Sequence, residues 1–182
     1  KIKLVEGEFF HIYNRGNSKQ KIFHDKQDYR YFTSLLYLAN GNNPVKSFDL
    51  FRNNKNSIYK FDKGEPFVSI GVYVLMPNHF HILLTGLSED GVTKFMQKLA
   101  TGYVMYYNQK YKRTGSLFEG KFKAKHADTD NYLKYLFAYI HLSPDKLNQK
   151  DWKEVGKKNK KQVISFLEEY EYSSFMDWIK VE

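Results

Sequence analysis

The sequence predicts an α+β fold: an antiparallel sheet in the order β-α-β-β-α-β with helices on one face, then one more helix and a C-terminal helical extension. Three observations lead there. Strand-like runs occupy residues 8–14, 67–75, 79–85 and 120–126, rich in aromatic and β-branched residues or alternating in polarity. Helical apolar spacing occupies the stretches between and after them. The second and third strands are parted only by Met76-Pro77-Asn78, a tight reversal. Strand, helix, hairpin, helix, strand is the ferredoxin-like split βαβ order.

Each element has its own signal. Glu8-Phe9-Phe10-His11-Ile12-Tyr13-Asn14 is the first strand, ended by an Arg15-Gly16-Asn17 turn. Asp25 and Asp28 are candidate caps for a helix reaching about Asn40, whose core face is Phe32, Leu35, Leu36 and Ala39. Residues 40–66, rich in Asn and Lys, form an insertion in which Phe48 to Phe51 is a candidate short strand. Phe67 to Leu75 and His79 to Thr85 form the hairpin. A helix over 93–111 buries Phe95, Met96, Leu99, Tyr103 and Tyr106, with Gly102 allowing a close approach. Gly120 to His126 is the fourth strand. Asp128, Thr129 and Asp130 are alternative caps of the next helix, stopped by Pro144, which disfavours helical geometry at Ser143. Residues 1–145 then form one domain. Residues 146–182 are a basic connector and a helical extension around Ile164, Phe166, Leu167 and Tyr170.

Composition removes whole classes of chemistry. The chain has 182 residues, 42% of them hydrophobic, with 15 Tyr and 15 Phe, enough for a core without staples. It has no Cys, which excludes disulfides, thiolate metal sites and a Cys nucleophile. No apolar run is long enough to span a membrane. Lys1 to Glu6 lacks the apolar core of a signal peptide, so a cytoplasmic, nucleoid-associated location is expected. Lys plus Arg is 29 against 20 acidic residues, a net +9, which favours a polyanionic partner. Two runs concentrate the excess. Lys110, Lys112, Arg113, Lys121, Lys123 and Lys125 face Glu119 alone, and the 146–161 connector carries lysines from Lys146 to Lys161.

His79-Phe80-His81 is the sharpest local feature. Strand positions i and i+2 share a face, so two imidazoles stand side by side with Phe80 turned to the core. The pair is either two ligands of one metal or two half-exposed histidines on a sheet. On the following helix Leu133, Leu136, Phe137 and Ile140 form the core stripe. Tyr132, Tyr135 and Tyr139 form a second stripe roughly 110° away, with Ser143 one turn beyond Tyr139.

These residues resemble a known family. Met76-Pro77-Asn78-His79-Phe80-His81-Ile82-Leu83-Leu84 resembles the HUH strand of the single-tyrosine transposases, and in particular their REP-associated tyrosine transposase-like branch. His11-Ile12-Tyr13-Asn14-Arg15-Gly16-Asn17 is similar to that branch's N-terminal signature. Gly115 to Lys123 resembles its G-x-L-F-Q-x-R-F-K segment, Tyr139-Ile140-His141-Leu142-Ser143-Pro144 its Y-I-H-L-N-P segment, and Tyr172-Ser173-Ser174 its C-terminal SS motif. The blocks occur in family order.

The resemblance implies a metal-dependent endonuclease and strand transferase that acts on hairpin-containing single-stranded DNA through a 5′-phosphotyrosine. Tyr139 would be the nucleophile, His79 and His81 metal ligands, and Mg2+ or Mn2+ the cofactor. The family's third ligand is Asn or Gln; here Ser143 stands there, a shorter and weaker oxygen donor. Glu119 replaces the family's Gln. Arg15, Lys112, Arg113, Lys121, Lys123 and Lys125 are the expected DNA contacts. Left open are a monomer or homodimer, Tyr139 acting in its own site or a partner's, and a non-catalytic single-strand binder on the same fold.

Overall fold

The computed structural model describes residues 2–45, 55–147 and 160–180. Strands β1 (Phe9–Arg15), β2 (Val68–Met76), β3 (His79–Gly86) and β4 (Lys123–His126) form one sheet in the order β2-β3-β1-β4, every neighbouring pair antiparallel. Helices α1 (Lys26–Leu38) and α2 (Gly91–Lys110) cover one face. Helix α3 (Asp130–Leu142) lies on the other, and α4 (Lys160–Glu169) and α5 (Phe175–Ile179) follow. This is the α+β, ferredoxin-like architecture expected from the sequence. The candidate strand at Phe48 to Phe51 and most of the 146–161 lysine run lie outside the described residues.

Pleating divides β3 between two cores. Phe80, Ile82 and Leu84 pack with Phe10, Ile12, Phe32, Phe95 and Leu99 under α1 and α2. Leu83 instead joins Val72, Val74 and Met76 beneath Leu136 and Ile140 of α3. Strand β2 serves both cores because its register slips between Ile70 and Val72. The extra residue, Gly71, switches the parity, so Val68 and Leu75 face one core while Val72 and Val74 face the other. The Gly71 carbonyl accepts from the Trp178 indole at 3.0 Å. Plain alternation over 67–75 hides this bulge.

Asp25 caps α1, accepting from the N–H groups of Gln27 and Asp28. Asp28, the other candidate cap, has a different role. Its side chain is fully buried and accepts from Lys110 Nζ at 2.7 Å, the Tyr106 hydroxyl at 3.0 Å, the Tyr111 hydroxyl at 2.7 Å and the His24 N–H at 2.7 Å. Burial opposes the Lys110 charge, but hydrogen bonds to Asp25, Asp28, Tyr106 and Tyr111 outweigh it and raise its pKa. Asp25 is lowered, because Lys110 and the Asp28 and Gln27 N–H groups outweigh its own desolvation. The Asp25 contribution to stability is therefore present above its unfolded pKa and is lost as pH falls through the lower folded value. Gly102 does allow a close approach: a Cβ there would stand 3.3 Å from Leu35 Cδ2.

Strand β4 is shorter than expected. Gly120 sits at φ +133°, and its carbonyl accepts from Asn14 Nδ2 at 3.0 Å. The extended run therefore begins only at Lys123. At the end of α3, Ser143 stays helical despite Pro144, with φ −58° and ψ −36°. Its N–H bonds the Ile140 carbonyl, and its hydroxyl donates to the Tyr139 carbonyl at 2.7 Å. The side chain thus satisfies the carbonyl that its own backbone leaves, and a 3-10 turn, Ser143–Leu147, carries the chain on.

The C-terminal segment covers the outer edge of β2. Leu75 N–H donates to the Tyr172 carbonyl at 2.9 Å, Ser174 N–H to the Tyr73 carbonyl at 3.0 Å, and Tyr73 N–H to Ser174 Oγ at 2.9 Å. The Tyr172 ring stacks on Tyr29 at 3.8 Å. An edge covered in this way cannot pair with another chain. The Ser174 hydroxyl also meets His141 Nε2 at 3.1 Å, joining two sequence blocks that lie 33 residues apart. Ser174→Ala should strip a partner from both Tyr73 and His141 and lower stability by about 1–3 kcal/mol. Urea denaturation measures it, and an unchanged midpoint would show that water replaces the hydroxyl.

Candidate active site

One face of the sheet gathers the chemistry. In the β1–β3 ladder Tyr13 stands opposite His81 and Arg15 opposite His79; in the β1–β4 ladder His11 stands opposite Lys125 and Tyr13 opposite Lys123. Opposed residues share a face. His11, Tyr13, His79, His81, Lys123 and Lys125 therefore all lie on the face that carries α3. The His79 and His81 rings are 5.0 Å apart. The Tyr139 ring meets His81 edge-on at 5.7 Å and His11 at 6.3 Å. A cleft of about 410 Å³ is lined by Tyr13, Asn14, Arg15, Lys19, Asn78, His79, His81, Glu119, Lys123 and Tyr139.

Hydrogen bonds orient both imidazoles. Asn78 Nδ2 donates to the Lys19 carbonyl at 3.2 Å, which turns Asn78 Oδ1 toward His79 Nδ1 at 2.6 Å. An amide oxygen only accepts, so His79 Nδ1 carries the proton, which in the neutral ring leaves the lone pair on Nε2. His81 Nδ1 lies 2.9 Å from His11 Nε2. Burial first, and the charge of Lys125 second, push His11 down to about 4, so near neutrality it is an uncharged partner. When His81 Nδ1 donates to it, His81 also presents Nε2 as its lone-pair nitrogen. Bonding the far ring nitrogen in this way is how proteins orient metal-binding histidines. Among the described residues no group of three or more His, Asp or Glu is arranged to hold a metal. His79 and His81 could offer two imidazole donors, a set that would suit only a cation keeping part of its water shell.

Of the expected residues, Tyr139, His79, His81, Arg15 and Lys123 meet in the cleft. Lys125 lies beside it on the same face, and Lys121 is exposed just before β4. Arg15 Nε pairs with Glu119 at 2.6 Å, so the acidic replacement supplies an internal ion pair. Lys112 and Arg113 do not line the cleft. Arg113 donates to the Ser116 carbonyl at 2.9 Å and lies over the Tyr107 ring, bracing the loop after α2. Ser143 is buried with its hydroxyl turned to the Tyr139 carbonyl. His126 faces the opposite side, stacked on Phe10 and paired with Glu8 at 2.9 Å.

Tyr13, Asn14, Lys19, Asn78 and Glu119 also line the cleft, and His11 is buried beside it against His81. Alternation along 8–14 already put His11 and Tyr13 on one face, but only the pairing of β1 between β3 and β4 brings that face to His81. Asn78 lay in plain view as the turn residue before His79, and its role depends on the Lys19 carbonyl.

Comparison with known proteins bears on the family and the fold. Residues 55–143 match the family described as IS200-like transposase. No curated protein matches the chain. Among solved structures, a REP-associated tyrosine transposase bound to a REP hairpin is similar with a TM-score of 0.59 at 12% identity, over 98% of this chain and 83% of that one. At that identity the likeness speaks for the fold. Residues 55–143, the stretch that holds His79, His81, Tyr139 and Ser143, are thus similar to the IS200-like transposases.

Proposed function

We propose that the protein is a single-tyrosine DNA endonuclease and strand transferase acting on hairpin-containing single-stranded DNA. The observation that carries this reading is the convergence of Tyr139 with His79 and His81 in one cleft beside Lys123. The structural neighbour bound to a REP hairpin supports the substrate class. His79 and His81 would hold Mg2+ or Mn2+, whose charge would stabilise the phosphate oxygens and the leaving oxygen. Tyr139 attacks the scissile phosphorus: a phenolic O–P bond forms, the P–O3′ bond breaks, the phenol proton passes to solvent and the 3′-oxygen takes one up. A 5′-phosphotyrosine and a free 3′-hydroxyl result. A second 3′-hydroxyl reverses the step and joins strands without an external energy source.

Incubating the protein with hairpin-bearing single strands and Mn2+ or Mg2+ tests the proposal, with a covalent adduct expected on denaturing electrophoresis. No adduct on any structured single strand would remove the enzyme. A non-catalytic binding module on the same fold is favoured by one observation, the Ser143 hydroxyl held by the Tyr139 carbonyl instead of facing a metal. Binding unchanged by EDTA, with no cleavage, would support that second reading.

The lysines on and just before β4 should hold phosphates, positioning the strand without reading its sequence. Changing Lys121, Lys123 and Lys125 to Gln should weaken binding to unrelated single strands alike. It should also flatten the salt dependence by roughly 0.7 for each phosphate no longer neutralised. An unchanged slope in a salt titration would place the DNA path elsewhere.

A further inference from the structure

Helix α3 carries more aromatic surface than its packing uses. Leu136, Ile140 and His141 are its buried residues; Tyr132, Tyr135 and Tyr139 recur at i, i+3 and i+7 on a separate stripe, of which Tyr132 and Tyr139 pack partly against the core and Tyr135 does not. Their rings are nearly parallel: planes 13° apart with centroids at 6.1 Å between Tyr132 and Tyr135, then 22° and 5.9 Å between Tyr135 and Tyr139. Tyr135, the middle ring of the stripe, is 58% exposed. The inner end of the stripe is Tyr139, in the cleft. Beside Tyr139 on the sheet lie the buried His11 and the half-buried Tyr13, and beyond them the exposed Lys125 and Lys123 stand on edge strand β4. An aromatic wall thus faces a cationic wall over one strip of sheet.

We propose that this trough is the track of the single strand that enters the cleft, with bases stacked on Tyr135 and Tyr132 and phosphates held by Lys123 and Lys125. The inference rests on the DNA-processing reading above and assigns the side chains that hold the strand. Every base offers a π-face, so such a track tolerates any sequence, and a duplex, whose base faces are already stacked, cannot use it. Asp128 and Asp130, exposed at the start of α3, put negative charge beyond Tyr132 and keep the phosphates on the β4 side.

The test is fluorescence anisotropy with a labelled adenine-rich oligodeoxynucleotide and with its duplex, in EDTA and in a Tyr139→Phe background, so that cleavage plays no part. Tyr135→Ala should weaken single-strand binding about ten-fold, adding Tyr132→Ala about ten-fold more, while Tyr135→Phe stays within about two-fold. Duplex binding should not change in any variant. Undiminished single-strand affinity in the double alanine variant overturns the track, as does an equal loss for duplex or an equal loss in Tyr135→Phe. A parent protein that binds no single strand overturns the DNA reading itself, an outcome distinct from these.

Discussion

Tyr139→Phe should abolish the covalent protein–DNA adduct, a loss of about a thousand-fold or more, and leave binding of the same strand intact. The substitution removes one oxygen. It keeps the ring that meets His81 at 5.7 Å and His11 at 6.3 Å, so the cleft keeps its shape. The double variant His79→Ala/His81→Ala should lose the adduct as well, through the other half of the site. Gel analysis after a single incubation distinguishes the outcomes. An adduct that survives in Tyr139→Phe would transfer the nucleophile to another tyrosine, and Tyr135, next along the stripe, is the first candidate. Cleavage that survives in Tyr139→Phe without any adduct, yet is lost in the histidine variant, would indicate a phosphoesterase with no covalent step.

Asp28→Ala should be the most destabilising single substitution away from the cleft. It removes the one buried carboxylate that accepts from Lys110, Tyr106, Tyr111 and the His24 backbone together. The Lys110 ammonium would keep Asp25 at 2.8 Å, which is half exposed, and lose its buried partner. Breaking one side of a buried ion pair costs about 3–5 kcal/mol, a large part of the 5–15 kcal/mol typical of a whole domain. Urea denaturation should show a lower midpoint with an unchanged slope. Asp28→Leu combined with Lys110→Met should recover part of the loss, because no buried charge is left unpaired and Asp25, half exposed, is solvated by water. A midpoint shift worth less than about 1 kcal/mol would mean that water already serves these groups.

Element order, helix faces and the histidine pair were legible in the chain's residues alone. Those features rest on local periodicity and turn chemistry: Phe80 and Ile82 alternate with His79 and His81, Pro77 and Asn78 close the hairpin, and Leu136 and Ile140 recur at helical spacing. The resemblance of its motif blocks also placed Tyr139 with the histidines. What surrounds them came from long-range packing. Strand β1 lies between β3 and β4, a pairing that no local pattern encodes, and it brings His11 to His81 and Lys123 to the cleft. The Gly71 bulge reverses the faces of β2, which alternation alone would assign wrongly beyond Ile70. Asp28 looked like a cap because Asp near a helix start usually is one; α2 crossing above it made it a buried anchor. Ser143 kept its helical place before Pro144 because its own hydroxyl satisfies the Tyr139 carbonyl, a compensation visible only once both atoms are in position.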